Sequence, residues 1–454
     1  KPTVGDLNRA ISLEKKGATQ DACAAYHQAC RNQPEDRESW LGLARTCTAI
    51  GNPGRACWAL EQWLKKKDQD AEAWESLGRL YGIMYSYTLA ESSLRRALEI
   101  DPQRHHAKQS LLYVLRQMGR TQALDETADS ILQQQPGNLP ALIAKALSLP
   151  PVYKDSMELM QWRQRYMEGL KTLLSLDPIE LAGQYDVTEL EWTNFYLAYQ
   201  GEDDLVAQKT YGKFLRGILG ASNIPQLEDK KQQSRTTTEA PRIRVGFLSS
   251  FFRTCTVGKY FSSWVTDLPR DRFDVYLYFT GAHPDELTSS LAETCEGYHH
   301  LRGGLADKVE QVLADQLDIL IYPEVGMEGE ALLLANLRVA PIQLAGWGHP
   351  VTTGSRTMDY FLSCAEMEPE DGPEHYSETL ITLPGLGTRY ACPSTTSTAS
   401  RAQLSLPVDK NIYLISQSLF KIHPDNDEIF MQILKRDSNA VLVFFMPSAR
   451  PVLD

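Results

Sequence analysis

The first third of the chain repeats itself every 34 residues. Pro34, Pro102 and Pro136 stand on that grid, with Asp68 at the remaining stop. Gly17, Gly51 and Gly119 share the period, with Tyr85 at their fourth stop; Ala22, Ala56 and Ala90 do so again, followed by Leu124, and Trp40 and Trp74 lie one period apart. A period this short restricts the fold to stacked copies of one small unit, because a pair of short helices cannot bury its apolar face alone. A small Ala lets two helices approach, Gly serves the turn between them, and Pro ends the second helix. Four units fit over about residues 5–138, with a partial helix after Asn138.

With these residues the period resembles the tetratricopeptide repeat. The resemblance implies an α-solenoid over residues 1–150 whose concave surface takes an extended peptide or a partner protein. Trp40, Trp58, Trp63 and Trp74 are read as packing between units. Arms of this kind can dimerise through exposed apolar faces, so a homodimer is among the expected assemblies.

Beyond the repeats the pattern changes twice. Residues 151–225 form a helical connector, with apolar residues at helical spacing over 157–174 and 190–219. Residues 226–241 (QLEDKKQQSRTTTEAP) are polar and aperiodic, as in a flexible linker. From there apolar runs alternate with helical stretches. Strands are expected at 242–248, 273–279, 317–322 and 341–345, and helices at 285–295 and 306–316. Such alternation predicts a parallel sheet covered by helices, with ligands at the carboxyl ends of its strands. A second set begins with strands at 411–415 and 440–445 around a helix at 425–435. The fold class is therefore α plus α/β: a solenoid, a Rossmann-like half over 242–400, and the start of a second half over 401–454. A complete second half needs roughly 100 residues or more, so part of it is expected to be missing.

Composition narrows the function. A formal net charge of −12 argues against a sequence-independent grip on nucleic acid, which needs clustered Lys and Arg. No apolar stretch of about 20 residues is present to span a membrane, and no signal peptide is visible in a sequence that begins with Lys1. The 8 cysteines form no CxxC pair, so reduced thiols in the cytoplasm are expected.

Four segments then carry a second resemblance: 244–250 (RVGFLSS), 340–363 (APIQLAGWGHPVTTGSRTMDYFLS), 375–385 (HYSETLITLPG) and 417–424 (QSLFKIHP). In this order, behind a repeat arm, they resemble the catalytic region of protein O-GlcNAc transferases and their SPINDLY-like relatives. The resemblance implies a GT-B fold and an inverting, metal-independent transfer of a sugar from a nucleotide donor, with no further cofactor. It makes Lys421 a contact of the donor phosphates, where a fixed ammonium stabilises the charge that grows on a leaving diphosphate. Gln417 and Ser418, beside it, become candidate donor contacts.

The turn holding Gly348, His349, Pro350, Thr352, Thr353 and Gly354 follows a buried strand. The resemblance turns it toward the donor sugar, with backbone N–H groups and Thr hydroxyls as its binding groups. His349 can relay a proton from the acceptor; the alternative is a hydrogen-bonded loop histidine. Glu324 is a sugar hydrogen-bond acceptor or a solvated, structural side chain. One stretch departs from the family: Phe251, Cys255 and Lys259 stand where an Asp and two His are usual. That leaves the sugar and the catalytic base open, with a donor phosphate oxygen or a water chain as other bases.

The function expected is transfer of GlcNAc from UDP-GlcNAc to Ser or Thr of proteins held by the arm. The alternatives are transfer of another hexose or fucose, transfer to Asn, and an inactive adaptor that only binds.

Overall fold

The computed structural model describes residues 5–187, 190, 192–227, 242–392 and 398–445. Residues 228–241 of the expected linker and 446–454 of the second half lie outside the described residues.

The repeat arm consists of paired helices, Gly5–Lys15 with Thr19–Asn32, Arg37–Ala49 with Pro53–Leu64, Ala71–Ile83 with Tyr87–Ile100, and His105–Gln117 with Thr121–Gln134, followed by Leu139–Leu147. The 34-residue period shows in its chemistry. The residues before the first helix of successive units are Asp36, Asp70, Arg104 and Asn138. Asp36 accepts from the Ser39 N–H at 2.8 Å, Asp70 from Ala73 at 3.2 Å and Asn138 from Ala141 at 3.1 Å. Each such cap is worth about 1 kcal/mol. Arg104 cannot accept, and its guanidinium instead bonds Glu75 at 2.6 Å. Trp40 and Trp74 donate their indole N–H to the carbonyls of Pro34 and Asp68, at 3.0 and 2.9 Å, tying each inter-unit turn to the helix after it. Ala22, Ala56, Ala90 and Leu124 are all buried where helices meet. Trp58 departs from the expected packing role: it is 42% exposed and lies against Trp40 and His27.

Seven strands form one parallel sheet: β1 (Ile243–Ser249), β2 (Phe273–Phe279), β3 (Gly297–His300), β4 (Ile319–Tyr322), β5 (Ile342–Gly346), β6 (Tyr360–Cys364) and β7 (Thr379–Leu383). Their order is β3-β2-β1-β4-β5-β6-β7. Helices Thr256–Thr266 and Glu286–Ala292 cover one face through Phe261, Val265 and Leu291. Helices Leu305–Ala314 and Gly329–Ala335 take part in another core through Val309, Val312 and Leu333. That core also includes Tyr166 and Leu170 of helix Ser156–Leu174 and Phe214 and Leu215 of helix Leu205–Gly220. The boundary expected at 226–241 therefore does not separate two cores, because the connector helices belong to the body of the sheet domain.

A second parallel pair, β8 (Asn411–Ile415) and β9 (Ala440–Phe444), flanks helix Asn426–Arg436. None of these three elements buries a residue. Among the described residues no helix is long and apolar enough to cross a membrane.

The turns inside the repeat units generate a stability test. Gly17, Gly51, Tyr85 and Gly119 all have positive φ, at 75°, 76°, 58° and 66°. A Cβ at Gly51 meets open space, whereas one at Gly119 would lie 2.5 Å from Pro151 Cδ. Gly51→Ala is expected to lose about 1 kcal/mol from the left-handed backbone alone. Gly119→Ala should lose at least about 1 kcal/mol more from the clash. Urea or thermal unfolding of the two variants, compared with wild type, checks the ranking.

Candidate functional site

β1, β2 and β3 step outward in one direction, and the chain then crosses back to place β4 on the other side of β1. The winding reverses between β1 and β4, so their carboxyl ends flank a crevice. Ser249, the last residue of β1, is fully buried there. Its hydroxyl donates to Glu324 Oε1 at 2.6 Å and accepts from the Phe251 N–H at 2.8 Å. Glu324 lies two residues beyond β4 and is 2% exposed. Among the described residues its Oε2 has no partner. Burial pushes the carboxyl up to about 8; the Ser249 bond opposes this and the nearby Glu328 adds to it. Glu324 is thus neither solvated nor fully satisfied.

The turn after β5 lies on the end of β4. The Gly348 N–H donates to the Pro323 carbonyl at 2.9 Å. A Cβ at Gly348 would stand 2.7 Å from that oxygen and 2.9 Å from Glu324 Cβ. Glycine is required here for contact with the protein's own backbone. His349 is 3% exposed, and its Nε2 has no partner among the described residues. Its ring stacks on Phe195 with centroids 5.6 Å apart. Burial first, and then the charge of Lys421, lower the imidazole to about 4, so it is neutral near pH 7. Two more buried groups without partners among the described residues follow strand ends on the same edge: the Thr280 hydroxyl after β2 and the Trp347 indole N–H after β5.

The two threonines of the turn need a correction. Thr352 Oγ1 donates to Glu378 Oε2 at 2.6 Å, and the Thr353 N–H and hydroxyl both donate to Glu378 Oε1, the former at 2.9 Å. These hydroxyls anchor the turn to the start of β7 and are not open to a ligand. Pro350 is exposed, and Gly354 packs on the backbone of Gln208 in the connector.

Lys421 ends the single 3-10 turn Leu419–Lys421 after β8. Its Nζ lies 5.3 Å from the Tyr199 ring centre and 5.9 Å from that of Phe420. Phe420 in turn meets Phe195, which stacks on His349. The ammonium and the 348–354 turn therefore meet around one aromatic group. Gln417 and Ser418 are exposed on the same turn. In the departing stretch, Cys255 Sγ donates to the Phe251 carbonyl at 3.3 Å and Lys259 is exposed. Sequence reasoning missed Ser249 and Phe195. Ser249 is legible afterwards as the terminus of the central strand, whereas no motif marks Phe195.

A repeat arm packed on a parallel sheet, with its polar crevice at the winding reversal and a second sheet starting beside it, has the architecture of a tetratricopeptide-repeat, GT-B type protein. Residues 222–388 match the sequence profile of glycosyl transferase family 41. Over this part the chain is similar to the O-GlcNAc transferase and SPINDLY-like group of that family. It is 25% identical over 210 residues to the probable UDP-N-acetylglucosamine–peptide N-acetylglucosaminyltransferase SEC of Arabidopsis thaliana, covering 44% of this chain and 22% of that protein. It is 25% identical over 177 residues to the UDP-glucose:protein N-beta-glucosyltransferase of Actinobacillus pleuropneumoniae, covering 37% of this chain and 28% of that one. The chain thus spans about a quarter of these relatives' length. The structure of a Thermobaculum terrenum O-GlcNAc transferase variant superposes over 90% of this chain and 68% of its own, with a TM-score of 0.58 at 20% identity, which shows the shared fold.

Glu324 gives the crevice a measurable pH signature. Its ordinary value is 4.5 and its folded value is about 8, so between these the folded state holds a proton that the unfolded state has lost. Stability therefore falls as pH rises through that window. His349, lowered from 6.5 to about 4, opposes this slope only below 6.5. From pH 6.5 to 8 wild type is expected to lose about 2 kcal/mol through Glu324. Glu324→Gln should remove that slope, which unfolding at the two pH values measures.

Proposed function

We propose that the protein carrying this chain is an inverting, metal-independent glycosyltransferase of the cytoplasm. It moves GlcNAc from UDP-GlcNAc to Ser or Thr of proteins held on the concave face of the repeat arm. The observation that carries the reading is the set of buried polar atoms at the winding reversal that have no partner among the described residues, Glu324 Oε2 and His349 Nε2 above all, with the Lys421 charge acting on the same turn. Burying a polar group without a partner costs about 1–3 kcal/mol, and a ligand that supplies the partner removes that cost.

In this reading Lys421 neutralises charge on the departing diphosphate. Gln417 and Ser418 contact the donor from the same turn. The neutral imidazole of His349 takes the acceptor proton as the acceptor oxygen attacks the anomeric carbon. Glu324, protonated at neutral pH, donates a hydrogen bond to the donor.

The similarity to a UDP-glucose:protein N-beta-glucosyltransferase favours a second reading, transfer of glucose to Asn, with His349 then acting on an amide. The test is incubation of the natural full-length protein with labelled UDP-GlcNAc, UDP-glucose and GDP-fucose, followed by mass-spectrometric mapping of the modified residue. GlcNAc on Ser or Thr is the expected product. Glucose on Asn selects the second reading, and no transfer from any donor leaves a binding protein. Lys421→Ala should lower kcat on the order of 100-fold without unfolding the chain, because the side chain is exposed.

A further inference from the structure

The connector contributes a short aromatic plate that no sequence motif marks. The 3-10 helix Phe195–Tyr199 is held at both ends by buried polar groups. On one side Arg116 of the repeat arm donates to the Thr193 carbonyl at 3.2 Å and lies 4.0 Å from the Trp192 ring centre, while Asn194 donates to Gln208 at 2.9 Å. On the other side Gln200 donates to the Tyr153 hydroxyl at 2.6 Å and accepts from Arg163 at 3.0 Å. The rings between these anchors face two separate parts of the molecule. Phe195 stacks on His349 with an interplanar angle of 18°. It also meets Phe420, whose own centroid lies 5.6, 5.5 and 5.2 Å from those of Phe195, Tyr196 and Tyr199.

No hydrogen bond to Nε2 orients the His349 ring among the described residues. Gly326 also lies close to the ring: a Cβ there would be 2.8 Å from His349 Cδ2. The ring plane is therefore set by packing, and Phe195 supplies the flat contact. We infer that Phe195 is a positioning residue: it fixes the plane of His349 and, through its edge contact with Phe420, ties that plane to the seating of the turn that carries Lys421. The site then has three walls, two from the sheets and one from the connector. Lys421, from the turn after β8, is the charged group that acts on His349; Glu324 lies across Gly348.

The inference rests on the proposed transfer for its kinetic arm only. Phe195→Ala and Phe195→Leu remove the ring, Phe195→Leu keeping apolar bulk, and Phe195→Tyr restores it. In the histidine-labelled chain, His349 is followed by NMR titration and assigned with His349→Asn. Wild type should titrate near 4, and the Ala and Leu variants should move toward the ordinary 6.5 as water reaches the ring. Phe195→Tyr should return to the wild-type value. In the full-length enzyme the Ala and Leu variants should lose kcat by about 10- to 100-fold, with the donor KM little changed, because the defect is in orientation. An unchanged His349 titration in folded Phe195→Leu overturns the inference, as does a loss of kcat that Phe195→Tyr fails to rescue. A wild-type protein that transfers no sugar, yet shows the titration shift on ring removal, sinks the transferase reading and leaves the positioning role standing.

Discussion

The reversal of winding between β1 and β4 is the constraint from which the rest of the site follows. Parallel strands joined by right-handed crossovers carry their helices over the faces, so the ends of strands on either side of a reversal are left with no connection crossing between them. Ser249 and Glu324 occupy that gap, and their 2.6 Å hydrogen bond closes its floor. The turn after β5 descends on the same floor because Gly348 has no side chain to hold it away from Pro323. His349 is buried as a consequence. Polar atoms without partners are rare in protein interiors, since low dielectric makes each one costly. Among the described residues Thr280, Glu324, Trp347 and His349 bring four such atoms to one edge, after β2, β4 and β5.

The arm and the sheet domain are mechanically one piece at their junction. The connector helices contribute Tyr166, Phe214 and Leu215 to the core that Val309, Val312 and Leu333 build beside the sheet. Gly354 closes the 348–354 turn against the backbone of Gln208, and Asn194 reaches the same glutamine's side chain. The turn therefore sits on the connector as much as on the sheet. β8, β9 and their helix differ: they bury nothing of their own and meet the connector through Phe420 and through a Ser156–Asp425 hydrogen bond of 2.5 Å. Among the described residues this piece has less burial to keep it in place than the sheet of β1 to β7.

Sequence made the periodic parts legible and left the rest obscure for physical reasons. The 34-residue grid is written in residues that each do one stereochemical job, so Gly17, Gly51 and Gly119 mark left-handed turns directly; even Tyr85, the exception, adopts the same backbone. β2 and β8 run at the expected residues because each is an apolar run cut off by polar neighbours. β3, β6 and β7 were not expected. β3 is short and contains His299 and His300, and β7 is an edge strand with most side chains exposed. The site was half legible. The 348–354 turn and Lys421 stand in motifs, but which hydroxyls are spent internally depends on Glu378, more than twenty residues away, and no local pattern reports that. Phe195 comes from a connector with no motif at all, so only the folded contact with His349 reveals it.

The two ionisable groups of the crevice are shifted in opposite directions for one reason. Burial disfavours whichever form carries charge, so it raises the Glu324 carboxyl and lowers the His349 imidazole. Near neutral pH both are uncharged; the charges that act on them are the Lys421 ammonium on His349 and the Glu328 carboxylate on Glu324. A sugar diphosphate entering the crevice in the proposed reaction meets one cation, a carboxylic acid able to donate a hydrogen bond, and an imidazole nitrogen free to take a proton. An ionised Glu324 would instead repel the diphosphate, and a protonated His349 would have no lone pair to offer at Nε2. The same desolvation thus keeps the acid as a donor and the base as an acceptor. It depends on the Phe195 ring and the Gly348 backbone continuing to shut water out of the floor between β1 and β4.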